Sequence, residues 1–246
     1  MRMIASLLTV LLGSLAAATA GRSPTRPPAE VLERARNVLG GLAAFRAVQN
    51  IVAEGELRWT TSPDPTVSHF GFTLVRPDCF QWRTEHVVHS LKGDLFWQNI
   101  ENPDALRQVA RGNTEINFVI WSLVFLLDAP SSIPLTMSSV QDVRIGDRRG
   151  YGVQVRRGIG LDVTLVVDVA TGRPLGLTQV TAITTSSGST SGRTTSVWRF
   201  RDYKRVAGVM LPFTVERQLG DWRSRTTFTS LRVNVPDARS AFDAKR

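Results

Sequence analysis

Cysteine is almost absent: Cys79 is the single one in 246 residues, so no disulfide can close within the chain. It sits between Asp78 and Phe80 in an expected strand, where a half-buried, inert thiol is the reading. Histidine is nearly as scarce, and the three residues are not spaced as metal ligands. His86 and His89 lie three apart in an expected strand, which puts them on opposite faces, and His69 stands alone beside Phe70. There is no G-x-S-x-G elbow, no H-E-x-x-H pair and no Walker loop, and Gly158-Ile159-Gly160 reads as a turn with no helix after it. The carboxylates are scattered, and Glu54 and Glu56 share their strand face with Arg58, as on a solvated sheet. Catalysis needs polar groups that converge, so no catalytic residue, no metal and no cofactor is expected.

Long apolar runs are also missing beyond the N-terminus. The longest internal one, Ile116 to Leu127, falls short of the roughly 20 residues that cross a bilayer. The N-terminus itself has the parts of an export signal: Arg2, the apolar stretch Ile4 to Ala18, and the cleavage pattern Ala18-Thr19-Ala20. Residues 1–20 are expected to be removed after about Ala20. Gly13 and Ser14 shorten the apolar run and disfavour an uncleaved anchor, and no cysteine follows it to carry a lipid. The expected product is a soluble periplasmic domain.

Acidic residues are outnumbered, 21 Asp and Glu against 30 Lys and Arg, for a net charge of +9. In an exported protein this does not point to nucleic acid. It leaves a solvated basic surface or attraction to an anionic membrane surface.

What is present is a globular composition, 42% hydrophobic and 21% charged. Residues 21–28 (GRSPTRPP) form a Pro-rich linker. A helix is expected from Pro28 to about Leu39, with Val31, Leu32, Ala35, Val38 and Leu39 on one face, stopped by Gly40-Gly41 and followed by a short helical piece, Leu42 to Val48. From Ile51 the period becomes two, and about eleven strands follow to Val233. They are interrupted by two expected helices: a short one over Asn102–Arg111, and a second, capped by Thr114, over Glu115–Leu127. The second is apolar nearly all round and must be buried on most sides. The DVATGRP segment, Asp168 to Pro174, carries a hairpin turn, and the Ser/Thr/Gly tract Thr184 to Thr195 reads as a mobile hairpin tip. The domain is expected over 29–235, with a tail over 236–246.

Aromatic residues carry the functional signal. Trp59, Phe70, Phe72, Trp82 and Trp97 fall on the apolar face of the early strands, and the apolar helix adds Phe118, Trp121 and Phe125. Core and ligand pocket read alike in a pattern, so these eight are either a packed interior or the lining of a cavity.

The order helix, Gly-Gly, strand in Val38-Leu39-Gly40-Gly41-Leu42 through Glu54-Gly55 resembles the periplasmic lipoprotein-carrier superfamily, LolA/LolB-like. So do the late segment Phe200 to Phe213 (FRDYKRVAGVMLPF) and the turn Asp168 to Pro174. The likeness spans about Ala29 to Val235 and rests on structural turns. It implies a mainly β fold with a few helices (α+β), in which a curved antiparallel sheet forms an incomplete barrel closed by an apolar lid helix. It also implies a cavity for acyl chains, and an arginine contact for which Arg83, beside Trp82, is the candidate.

The function this implies is a monomeric carrier or binder of a lipid or an acylated lipoprotein, releasing its ligand when the helix near Trp121 moves. A periplasmic regulatory or protein-binding module that recognises its partner at a sheet edge is the alternative. An unrecognised hydrolase would instead require a polar cleft.

Overall fold

The computed structural model describes residues 26–61, 66–101, 103–158, 160–184 and 190–243. The expected signal peptide and residues 21–25 of the linker lie outside them. Among the described residues the period-two segments form twelve strands: β1 (Asn50–Trp59), β2 (Val67–Val75), β3 (Cys79–Thr84), β4 (Val88–Lys92), β5 (Leu95–Gln98), β6 (Thr136–Ile145), β7 (Arg148–Arg157), β8 (Leu161–Asp168), β9 (Pro174–Thr184), β10 (Thr190–Val206), β11 (Val209–Leu219) and β12 (Trp222–Val233). All pair antiparallel in one sheet of order β5-β4-β3-β2-β1-β12-β11-β10-β9-β8-β7-β6. The first and last strands thus lie side by side in the middle, and the meander runs outward from them to two edges, β5 and β6. The edges do not pair with each other, so the barrel is incomplete. Bulges at Glu54/Gly55 in the β1–β12 pair and at Val140/Val143 in the β6–β7 pair help to curl it.

The strand beyond the expected eleven is β6. Its sequence, TMSSVQDVRI, lacks apolar alternation because most of it is exposed or half-buried. Backbone pairing to β7, rather than a buried face, makes it a strand. The Ser/Thr/Gly tract is also more regular than expected. β10 begins at Thr190, and Thr194 and Thr195 pair with Thr181 and Val180, in keeping with the strand preference of β-branched threonine. Residues 185–189 of that expected tip lie outside the described residues.

Helix α1 (Pro28–Val38) starts at proline, whose missing N–H would have no partner there. It buries Val31, Leu32 and Ala35 against the sheet, and Leu39 follows past its end. Val38, expected on that face, is 44% exposed. Gly40 and Gly41 then turn the chain at φ +145° and +96° into α2 (Leu42–Ala47). A Cβ on Gly40 would stand 2.5 Å from the Gly208 carbonyl oxygen, so only glycine lets this turn sit on the β10–β11 hairpin. There the Met210 N–H donates to the Leu39 carbonyl at 2.6 Å.

The two helices expected after β5 are one, α3 (Asp104–Leu126). Thr114 is the residue expected to cap the second of them. Instead the Thr114 hydroxyl donates back to the Ala110 carbonyl at 2.7 Å, a bond that fits within a continuing helix. Glu115 meanwhile pairs with Arg111 one turn earlier and with Arg157 of β7. Because α3 connects the two edge strands, it crosses the concave side of the sheet, and its apolar second half is buried there. No helix among the described residues is long and apolar enough to cross a membrane.

The expected tail holds a 3-10 helix, Ala238–Phe242, packed on β2, β3 and β4. Arg239 pairs with Asp78 at 3.1 Å and Lys92 with Asp243 at 2.5 Å. Cys79 is fully buried, and burial together with the Asp78 carboxylate pushes its thiol up to about 11, so it stays protonated and unreactive at neutral pH.

At the expected DVATGRP turn, Asp168 ends β8 with only 4% exposure. Burial pushes its carboxyl pKa up. The Thr171 N–H at 2.7 Å, the Thr171 hydroxyl at 2.9 Å and Arg148 at 2.8 Å pull it further down, so the folded value lies below the ordinary one. A carboxyl held ionised in this way stabilises the fold above its unfolded pKa of about 3.9, and that share is lost as pH falls through the lower folded value. Asp168→Asn is therefore expected to lower the Tm at pH 7 while flattening the fall of Tm below about pH 4. A Tm series against pH on both proteins reads this directly.

Candidate functional site

Six of the eight aromatic residues singled out in the sequence meet on the concave side, under α3. Phe70 stacks on Trp82 at 4.8 Å and Phe72 on Trp121 at 5.3 Å, while Phe80 stacks on Phe118 at 5.5 Å and Trp121 lies 5.8 Å from Phe125. Phe228 of β12, which the pattern did not single out, stands edge-on to Phe70, Phe72, Trp121 and Phe125. All of these but Trp82 are buried. Two polar atoms in this interior lack partners, Nε1 of Trp121 and Oγ of Ser122.

Helix α3 buries eight apolar side chains between Phe118 and Leu126. Each such burial is worth roughly 1.5–3 kcal/mol, so withdrawing all eight would cost on the order of 12–24 kcal/mol. That matches or exceeds the whole stability of an ordinary domain, about 5–15 kcal/mol. Lifting α3 as one piece would cost about as much as unfolding the domain. The first turns of α3 are different: Leu106 and Val109 are 55% and 60% exposed there.

The apolar surface continues to an opening at the ends of β1, β11 and β12. Trp59, Thr66, Leu219, Trp222, Ser224 and Arg217 line a pocket of about 450 Å³ there. Period two brings them together: Trp59 pairs with Ser224, Ser224 with Arg217, and Trp222 with Leu219. Arg217 pairs in turn with Trp198 of β10, and its guanidinium carbon lies 5.0 Å from that ring's centroid. Trp198 meets Trp121 edge-on at 6.0 Å and so joins the mouth to the inner rings. Burial lowers the Arg217 pKa, and its Nε is buried with no acceptor. Of the eight expected residues only Trp59 faces this mouth. Arg217, Trp198, Leu219 and Trp222 were not singled out, although the alternation Val209, Leu211, Phe213, Val215 already places an arginine, Arg217, next on the apolar face.

The eighth expected residue is on the other side of the sheet. Trp97 pairs with Ser90, which pairs with Gln81, whereas Phe96, Leu91 and Phe80 form the inward row. A four-residue strand of consecutive Leu, Phe and Trp has no alternation from which its facing can be read. Arg83, the candidate arginine contact, also points outward, and bonds Glu54 at 2.9 Å. His86 lies in the turn before β4. His89 lies in that strand against Phe96, and burial lowers its pKa. Among the described residues no group of three or more His, Cys, Asp or Glu is placed to hold a metal. A polar cleft of about 410 Å³ does exist on the outer face, lined by Arg148, Arg173, Arg199, Arg201, Asp147 and Asp202, but no His, Cys, Ser or Lys lines it.

No protein-family model and no curated protein matches the chain. Solved structures do. A candidate outer membrane lipoprotein-sorting protein domain from Vibrio parahaemolyticus aligns with a TM-score of 0.52 at 11% identity, over 87% of this chain and 98% of that one. A LolA superfamily protein from Nitrosomonas europaea aligns with a TM-score of 0.53 at 12% identity, over 86% and 96%. What is shared at such identity is architecture: this chain has the fold of these two structures, an incomplete antiparallel barrel.

Proposed function

We propose that this protein works in the periplasm as a monomeric carrier or binder of an apolar ligand, a lipid or the acyl chains of a lipoprotein. The observation that carries this reading is the mouth at Trp59, Leu219 and Trp222, an apolar pocket of about 450 Å³ within the size range of small-ligand sites. The ligand's alkyl part lies in this mouth, and Trp198 leads from it to Phe70, Phe72, Trp82, Phe118, Trp121 and Phe125 beneath. Entry loosens the exposed first turns of α3 and leaves its buried half in place. The exposed Trp222 at the mouth, and Leu106 and Val109 flanking Arg107 at the free end of α3, favour contact with an anionic membrane surface where ligand is collected.

Protein exported to and purified from a bacterial periplasm, extracted with organic solvent and analysed by mass spectrometry, is expected to yield lipid in stoichiometric amount. A lipid-free protein that also takes up no fluorescent fatty acid would overturn the reading. The second reading, a protein-binding module, is favoured by β6, a ten-residue edge strand with no strand on its outer side among the described residues. It predicts lipid-free protein whose partner protects β6 amides from exchange.

A further inference from the structure

Arg217 occupies a position in an otherwise apolar strand row. The inward row of β11 runs Val209, Leu211, Phe213, Val215, Arg217, Leu219, and the residues across from Arg217 are Trp198 and Ser224, both buried. No carboxylate pairs with it among the described residues. The nearest along the chain, Glu216, faces outward and is held by Arg225 at 2.7 Å and Arg201 at 3.6 Å. The flat guanidinium rests on the Trp198 ring, and its Nε has lost water without gaining an acceptor. Arginine keeps its charge even when partly desolvated. The fold therefore holds a cation at the wall of an apolar pocket with its counter-charge missing. A leucine or methionine would fill that place without this cost, and the Trp198 ring returns only part of it, because no anion among the described residues meets the guanidinium.

We infer that Arg217 is the receptor for an oxyanion, the carboxylate or phosphate at the head of an alkyl-chain amphiphile whose chain lies against Trp59, Leu219 and Trp222. The guanidinium fork offers such a group paired N–H donors, and the three apolar side chains offer the chain a wall on the same pocket. Unlike the outer arginines Arg148 and Arg201, which already have Asp168 and Glu216, this one waits for its partner. The inference rests on the proposed apolar mouth and narrows its ligand from any lipid to an anionic one.

Calorimetric titration of delipidated protein with dodecanoate, dodecyl phosphate and dodecanol separates the two claims. Wild type is expected to bind at least one of the anions about tenfold or more tighter than the alcohol. Arg217→Met is expected to bring the anions to the affinity of dodecanol while leaving dodecanol unchanged, and Arg217→Lys to keep part of the preference. Preference for one anion alone assigns the head group as carboxylate or phosphate, and preference for both assigns a general oxyanion site. If wild type binds dodecanol and the anions equally, or Arg217→Met keeps the preference, the inference falls and the apolar mouth stands. Binding of none of the three removes the mouth itself, and the inference with it. Should Arg217→Met fail to fold, the wild-type preference and the Arg217→Lys protein still decide.

Discussion

Replacing Phe72 with alanine is expected to lower the unfolding free energy by about 3–5 kcal/mol. Phe72 is 1% exposed and lies between sheet and helix, with Phe80, Trp82, Trp121, Phe125 and Phe228 at centroid distances of 5.3–6.5 Å. Truncation removes the ring from the middle of this set. The gap does not close easily, because the walls belong to strands fixed by their ladders and to α3, which is pinned at its C-terminal end. The loss is read from urea unfolding as a lower midpoint at unchanged slope. The same measurement bears on function. A loss below about 1 kcal/mol would show that the rings do not fill the concavity, and the acyl chain would then belong beneath α3 rather than at the mouth.

The fold was legible in this sequence wherever one face of an element is dry. The alternation Ile51, Ala53, Gly55, Leu57, Trp59 and that of Phe70, Phe72, Leu74 identify β1 and β2 and their inward faces, because a strand with one wet side must alternate. Pro28 and Gly40-Gly41 likewise bracket α1. Legibility failed where pairing or tertiary contact overrides local preference. Exposed β6 has no face to announce it, and α3 runs through Gly112-Asn113 because Thr114 bonds backward and Arg157 reaches in from another strand. Trp97 went to the wrong face because β5 is too short and too uniformly apolar to show a period. The mouth was legible in principle. Arg217 stands two residues from Val215 on one side and Leu219 on the other, and a charge in an apolar row is a stronger signal than another aromatic among many. The partners that make it a site, Trp198 and Trp59, come from 19 and 158 residues away and meet it only through the β10–β11–β12–β1 register.

The two ends of α3 are expected to respond very differently to loss of their ion pairs. At the C-terminal end Arg36 of α1 donates to the Leu127 carbonyl at 2.6 Å and lies 3.6 Å from Asp128, which Arg76 also approaches at 3.6 Å. Leu127 caps the helix at φ +50°, where its carbonyl has no helical partner of its own. Arg36→Met leaves that oxygen buried without a donor and is expected to cost about 1.5–3 kcal/mol in denaturant unfolding. Glu115, by contrast, is held by Arg111 and Arg157, which are 43% and 40% exposed, so Glu115→Gln is expected to cost under about 1 kcal/mol. Hydrogen exchange should separate the halves still more clearly. Amides of residues 107–114 are expected to exchange by local opening and to speed up in Glu115→Gln, while those of 118–126 exchange only with global unfolding. Ligand can then enter beside Trp59 and Trp222 while Trp121 stays seated on Phe72. Equal exchange along the whole helix would mean that α3 lifts as one body, and the ligand's path would run through the ring cluster instead.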